Sequence, residues 1–301
     1  MVKRILVYGS LNIDLVFPVD HIAAPGETVA GTALFKNAGG KGANQAAALA
    51  RAGAAVSLAG KIGADGRFIV RLLESFGVNT ERVAEWEGAT GQALIQVDRR
   101  GENAIVLYPG GNGAVTVNEI YRVIADFGAG DTVLLQNEIA GAGEIMRAAG
   151  ERGMRVCFNP SPCDETIRNL PLDLVDMFFV NEIEGASLAS SPLPSSPLPS
   201  SPERLLEALV RRFPRAEIVL TAGKAGAWYG YRENRARGEI VALPVVDTTG
   251  AGDTFTGYFL AARERNFPVE RSLALACKAA SIAVSRQGAM EAMPSAGEVF
   301  D

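Results

Sequence analysis

Histidine is almost missing from this chain, with His21 the one example in 301 residues. A Ser/His/Asp triad or a histidine-based metal centre would have to run through that side chain, which falls in a stretch read as a loop. Acid and base chemistry is therefore expected to rest on carboxylates. Cysteine is scarce as well: Cys157, Cys163 and Cys277 match no metal-ligand spacing and cannot all pair, so they read as buried or incidental thiols of a reducing compartment. Nor is there an excess of positive charge. The 29 Lys and Arg stand against 34 Asp and Glu, a formal net charge of -5, which argues against nucleic acid or an anionic membrane as partner. No apolar run approaches transmembrane length, and Met1-Val-Lys-Arg-Ile-Leu-Val-Tyr leads straight into a strand without a secretory cleavage pattern. A cytoplasmic protein is the expectation.

Two nucleotide-binding signatures are also lacking. Lys41 and Lys224 have neither the upstream glycine nor the following hydroxyl residue of a P-loop. The Gly-x-Gly pairs at 128, 141 and 250 are followed five residues later by Val133, Met146 and Phe255, so the dinucleotide fingerprint fails.

The chain does contain short, β-rich apolar runs: Ile5-Leu-Val-Tyr, Val56-Ser-Leu-Ala, Thr132-Val-Leu-Leu, Arg155-Val-Cys-Phe, Met177-Phe-Phe-Val and Glu217-Ile-Val-Leu. Helical stretches at 68–76, 117–127, 144–152 and 202–213 lie between most of them. Strands apolar on both faces and alternating with helices predict a three-layer α/β/α sandwich around a mostly parallel sheet. Residues 13–34 and 90–112 break that rhythm. Gln92-Ala-Leu-Ile-Gln-Val-Asp and Asn103-Ala-Ile-Val-Leu-Tyr look like a hairpin, so these two segments are assigned to a small β-sheet unit and residues 1–12, 35–89 and 113–301 to the large one. At 190–202 a Ser/Pro/Leu pentapeptide is repeated twice and begun again; proline this dense excludes helix and central strand, and an inert, exposed insertion is expected there.

Glycine is plentiful, and it marks the chemistry. In Asp247-Thr-Thr-Gly-Ala-Gly-Asp253-Thr-Phe, Gly250 and Gly252 flank only Ala251 and precede an apolar helix, so backbone N–H groups and the positive helix end can meet an anion together. Asp253 beside such a site suits proton abstraction from an alcohol. The same residues also suit an ordinary helix cap, and on this segment alone both readings stand. A second glycine-led helix start, Gly39-Gly40-Lys41-Gly-Ala-Asn44-Gln, puts Lys41 and Asn44 three residues apart on one helical face. In Gly9-Ser-Leu-Asn12-Ile-Asp14, alternation along an extended chain points Asn12 and Asp14 to the same side.

These segments resemble, in their order and spacing along nearly the whole chain, the ribokinase-like (phosphofructokinase-B) carbohydrate kinases. Pro25-Gly-Glu-Thr-Val, Leu134-Leu-Gln-Asn-Glu138, Asn159-Pro160, Asn181-Glu-Ile-Glu184 and Thr221-Ala-Gly223-Lys-Ala-Gly226 add to the resemblance. It implies ATP-dependent phosphorylation of a sugar hydroxyl, with D-ribose the first choice. Another sugar such as fructose or 2-keto-3-deoxygluconate, a nucleoside such as adenosine, or a catalytically weak sugar-binding regulator on the same fold are the alternatives. The resemblance further implies Asp253 as base, Gly250, Ala251 and Gly252 as anion hole, and Asn12, Asp14, Gly40, Lys41, Asn44 and Glu138 around the sugar. It implies Asn181, Thr221, Gly223, Gly226 and Gly252 on the nucleotide side, Glu184 organising Mg²⁺ through water, and Asp247 at a monovalent-cation site for K⁺. The small β unit would be a lid over the sugar and a homodimer interface. Two departures are expected to matter: Ala292 stands where these kinases carry a serine hydroxyl for the cation, and Tyr258 where they carry a small residue.

Overall fold

Alternation within the short apolar runs decides the layers. The computed structural model describes residues 3–190 and 201–301, so most of the Ser/Pro/Leu repeat lies outside the described residues. In chain order the strands are β1 (Ile5–Tyr8), β2 (Asn12–Pro18), β3 (Phe35–Gly39), β4 (Val56–Ile62), β5 (Asn79–Glu85), β6 (Gly91–Val97), β7 (Asn103–Tyr108), β8 (Thr132–Gln136), β9 (Arg155–Asn159), β10 (Met177–Asn181), β11 (Glu217–Thr221), β12 (Ala227–Tyr231) and β13 (Asn234–Gly238). Among the described residues, the larger sheet runs β13-β12-β11-β10-β9-β8-β1-β4-β5, parallel from β11 to β5 with β12 and β13 antiparallel at one edge.

Ile5 and Val7 of β1 enter one core, beneath α1 (Lys41–Arg51), α2 (Arg67–Ser75), and, later in the chain, the helices at 251–264 and 269–284. Leu6 and Tyr8 enter the other, beneath α3 (Val117–Ile124), α4 (Ala142–Glu151), α5 (Glu182–Ala189) and α6 (Pro202–Arg212). Period-two burial on both faces is what a sheet covered twice requires. The expected three-layer sandwich is what forms.

The smaller sheet has the order β3-β2-β6-β7. The hairpin read at 92–108 is β6 and β7, antiparallel, and β2 joins it in parallel. Phe35–Gly39, which the sequence reading placed with the large unit, pairs antiparallel with β2. Residues 19–34 contain no strand.

α7 (Ala251–Glu264) and α8 (Val269–Val284) complete the first layer, with the short α9 (Ala296–Phe300) after them. α7 lies against α1 at backbone distance: a Cβ on Gly257 would fall 2.4 Å from Ala48 Cβ and 2.9 Å from the Leu49 amide nitrogen. The neighbouring Tyr258 is fully buried, its ring stacked on Phe300 and its hydroxyl donating to the Pro294 carbonyl at 2.5 Å. Its bulk therefore goes away from the α1 contact. Cys157 and Cys277 are buried, Cys163 partly so, and all three are free.

Candidate functional site

Polar residues close four adjacent parallel strands at their C-terminal ends: Gln136 on β8, Asn159 on β9, Asn181 on β10 and Thr221 on β11. Gln136 pairs in register with Asn159, and Asn181 with Thr221. In an open parallel sheet this edge is where ligands are bound. The two glycine-led helix starts are aimed at the same edge, and they differ in what satisfies them.

At the start of α7, Gly250 adopts a left-handed conformation (φ 72°), and no side chain caps the helix. Ala251 N–H turns back to the Thr248 carbonyl at 3.3 Å, and the amides of Gly252 and Asp253 have no hydrogen-bond partner among the described residues. The positive end of a 14-residue helix is left open. At the start of α1 the amides are already used. Lys41 N–H donates to Glu138 Oε2 at 3.1 Å, Gly42 N–H to Ser10 Oγ at 3.2 Å and Ala43 N–H to the Ser10 carbonyl at 2.9 Å. Ser10 Oγ in turn donates to Glu138 Oε2. Glu138 thus serves α1 as the anion, while the first-turn amides of α7 face the cleft.

Asp253, 8% exposed, is held at both oxygens by neutral donors: Asn44 Nδ2 to Oδ2 and Gln45 Nε2 to Oδ1, each at 2.9 Å. Amide donors orient a carboxylate while leaving its charge in place, as a base requires. Lys41 faces the same cleft. Burial works against its ammonium, but the carboxylates of Asp253, Glu138, Glu184 and Asp14 outweigh that and raise its pKa above the ordinary value.

On the other side of Lys41, Asn12 Oδ1 accepts from Asn112 Nδ2 at 2.7 Å, and Asn112 Oδ1 accepts from Leu11 N–H at 3.0 Å, which fixes both amides. Burial pushes the Asp14 carboxyl up to about 7; the Glu138 charge adds to this and Lys41 opposes it. Burial likewise raises Glu138, with the Asp253 charge adding and Lys41 and Ser10 opposing. A cavity of about 520 Å³ begins at Asn12, Asn112 and Glu138 and leads out beneath Leu107 and Tyr108 of β7.

A cavity of about 270 Å³ takes in Lys41, Asp253, Gly250, Ala251, Gly252, Asn159, Asn181, Glu184 and Thr221. Asn181 and Glu184 form a capping box for α5: Asn181 Oδ1 accepts from Glu184 N–H at 2.8 Å and Glu184 Oε2 from Asn181 N–H at 3.0 Å. They are a helix-start pair and also line the cleft. The arrangement suits a hydrated divalent cation, because Glu184 is a carboxylate just 7% exposed whose Oε1 has no partner among the described residues. Thr221 Oγ1 donates to the Val180 carbonyl at 3.4 Å, and Gly223 and Gly226 bracket the turn that follows.

Asp247 lies below this edge. Its Oδ1 accepts from Thr249 N–H at 2.9 Å, and its Oδ2 from Gln287 Nε2 and Gly288 N–H, each at 3.0 Å. Burial acts to raise its pKa, but the bonds from Thr249 and Gly288 prevail and hold it below the usual range. Ala292 is buried at 1% exposure. His21 bonds Glu27 on the surface, away from the cleft.

Ser10, Gln45, Asn112, Gln136 and Asn159 were missed as contributors by sequence reasoning. For Gln45 and Gln136 a signal exists: each is a carboxamide within an apolar run, where a buried polar group needs a partner. Which partner it finds depends on tertiary structure.

Comparison with known proteins points one way. The pattern described as pfkB family carbohydrate kinase matches residues 2–296. The chain is 33% identical to the ribokinase of Bacillus subtilis, over 99% of this chain and 98% of that protein. It is 32% identical to the bifunctional ribokinase/ribose-5-phosphate isomerase A of Fructilactobacillus sanfranciscensis, covering 97% of this chain but 55% of that longer protein. Among solved structures, the Arabidopsis thaliana ribokinase complexed with ribose and ATP superposes with a TM-score of 0.87 at 29% identity, over 100% of this chain and 98% of that one.

Proposed function

The chain belongs to the pfkB family of carbohydrate kinases, and from that premise we propose that it transfers the γ-phosphoryl group of ATP to D-ribose, giving D-ribose 5-phosphate. The observation that carries the reading is the pairing, in the first turn of α7, of uncapped backbone amides with a carboxylate held by neutral donors. A binding protein needs neither. In the transfer, the sugar oxygen forms the new bond to phosphorus as the bond to the ADP oxygen breaks, and the hydroxyl proton passes to Asp253. Gly252 and Asp253 N–H, with the Lys41 ammonium, face the charge that builds on the transferred group. Asn12, Asp14, Asn44 and the free oxygen of Glu138 hold the sugar hydroxyls, while Asn181 and Thr221 border the nucleotide phosphates. Glu184 would hold Mg²⁺ through water, and the ion would neutralise phosphate charge. Asp247 and the carbonyls around it would take K⁺.

The smaller sheet carries a second reading. Phe35, Ile105, Val106, Leu107 and Tyr108 are 48–66% exposed, with Val106 the most so. An exposed apolar patch of this kind suits a second copy of the chain, so a homodimer through the smaller sheet is part of the proposal.

Activity is tested with a coupled assay of ATP consumption over ribose, fructose, 2-keto-3-deoxygluconate and nucleosides. Ribose should give the highest kcat/KM; adenosine or a hexose as best substrate would remove the ribose assignment and leave the family intact.

A further inference from the structure

A chain of three carboxamides runs from the proposed base to the opposite side of the cleft. Gln45 uses its entire polar inventory: Nε2 donates to Asp253 Oδ1 at 2.9 Å and to Asn159 Oδ1 at 3.2 Å, and Oε1 accepts from Gln136 Nε2 at 2.6 Å. Asn159 continues the chain, with Nδ2 donating to the Phe179 carbonyl at 3.0 Å and to Glu184 Oε2 at 3.4 Å. Turned over, the Gln45 amide would put its oxygen against the Asp253 carboxylate and its NH₂ against that of Gln136. The acceptor-only Asp253 carboxylate therefore decides which way Gln45 faces, and Gln136 Nε2 satisfies the Gln45 oxygen in that orientation.

That arrangement has a cost which packing does not explain. Gln45 and Gln136 are both fully buried, and Gln136 Oε1 has no hydrogen-bond partner among the described residues. A methionine at 136 would remove that orphaned oxygen but would leave the buried Gln45 Oε1 without its donor. Val133, Leu134 and Leu135, which precede Gln136 on β8, are apolar and fully buried.

We propose that Gln45 is a positioning residue for phosphoryl transfer: it fixes the Asp253 carboxylate for the incoming hydroxyl proton and registers it, through Asn159, against Glu184, while Gln136 braces the Gln45 amide at its oxygen. The proposal rests on the reading of Asp253 as base. A cationic partner at Oδ1 would strongly stabilise the carboxylate and weaken it as a proton acceptor; an amide orients it at a smaller such penalty. Asn44 does the same at Oδ2, so rotation about the carboxyl bond is blocked from both sides.

The test compares Gln45→Glu, Gln136→Met and Asp253→Asn with wild type in the full chain, using ribose and MgATP. Gln45→Glu keeps the shape and sets a second carboxylate against Asp253. The acidic limb of the kcat/KM profile should then move up by about one pH unit or more, with kcat near neutrality falling about 10²-fold and the ribose KM within about twofold. Lys41, Glu138 and Glu184, the other charged groups facing Asp253, are unchanged in that variant, so the movement reports residue 45. Gln136→Met removes the donor that braces the Gln45 oxygen and should lower kcat by about 5–20-fold at unchanged KM. A purely space-filling role leaves kcat unchanged in Gln136→Met, which adds no charge, and that result overturns the proposal. Should Gln45→Glu fail to fold, Gln136→Met decides alone by the same criterion of kcat against KM. A crippled Asp253→Asn beside normal glutamine variants removes only the positioning role; normal turnover of Asp253→Asn removes the base itself.

Discussion

Asn44 Nδ2 and Asp253 Oδ2 lie 2.9 Å apart although 209 residues separate them in the chain. That one bond joins the first turn of α1 to the first turn of α7, and so the sugar side of the cleft to the phosphate side. It also fits the proposed role of Asp253. A carboxylate this buried is stabilised by amides and not by a bonded cation, which leaves it competent to take a proton.

Replacing Asp253 with asparagine should therefore lower kcat by roughly 10²–10⁴ while ribose binding, followed by calorimetry, stays near the wild-type level, because a positioned base acts in the transition state. Turnover close to wild type would falsify the assignment.

Asp14 gives a pH signature. Its carboxyl, pushed up to about 7 in the folded chain from an ordinary 3.8, keeps a proton between those pH values that the unfolded chain has lost. The sign follows: this group favours the folded state below the unfolded value, and the contribution fades as pH rises through about 7. Ribose hydroxyls donate best to the ionised form, so binding should release a fraction of a proton near neutrality and tighten as pH rises from 6 to 8. Calorimetry in phosphate and in Tris should give different heats for the wild type and equal heats for Asp14→Asn. Buffer-independent heats in the wild type would remove this role.

Ala292 predicts the cation response. With no hydroxyl at this buried position, K⁺ should activate less than in a ribose kinase with serine there, and Ala292→Ser should strengthen activation at fixed ionic strength. Activity is measured against KCl, balanced with a bulky organic cation. Strong saturable activation of the wild type that the added hydroxyl leaves unchanged would contradict the expectation.

For the lid, Val106→Asp should convert dimer to monomer in sedimentation at micromolar protein, since a charge at the most exposed apolar position of β7 opposes its burial against a second copy. An unchanged sedimentation coefficient would place any dimer elsewhere.

Much of this was legible in the chain. Layers followed from strands such as Thr132-Val-Leu-Leu, apolar on both faces, and the site from glycines that precede helices at residues 40 and 250. What stayed hidden was non-local. Phe35–Gly39 carries Lys36 and Asn37 and runs into Gly40, so it reads as a lead-in to α1; only its pairing with β2 makes it a lid strand. Gln45 reads as one more position in an alanine-rich helix until Gln136 and Asn159, from two strands, meet it. The two glycine-led starts look alike as sequence. The difference between them, one satisfied by Glu138 and one open, exists only because β1 and β8 deliver Ser10 and Glu138 to the first.

The bare backbone contact at Gly257 gives the fold an unequal tolerance to change. Even a single methyl group there would act as a wedge against Ala48 and Leu49, prising α1 from α7 one turn away from the Asn44–Asp253 bond. A substitution touching no ligand would then be felt as lost chemistry. Through this contact and the Asn44–Asp253 bond the two helices form one block, so a displacement of either is passed to the other.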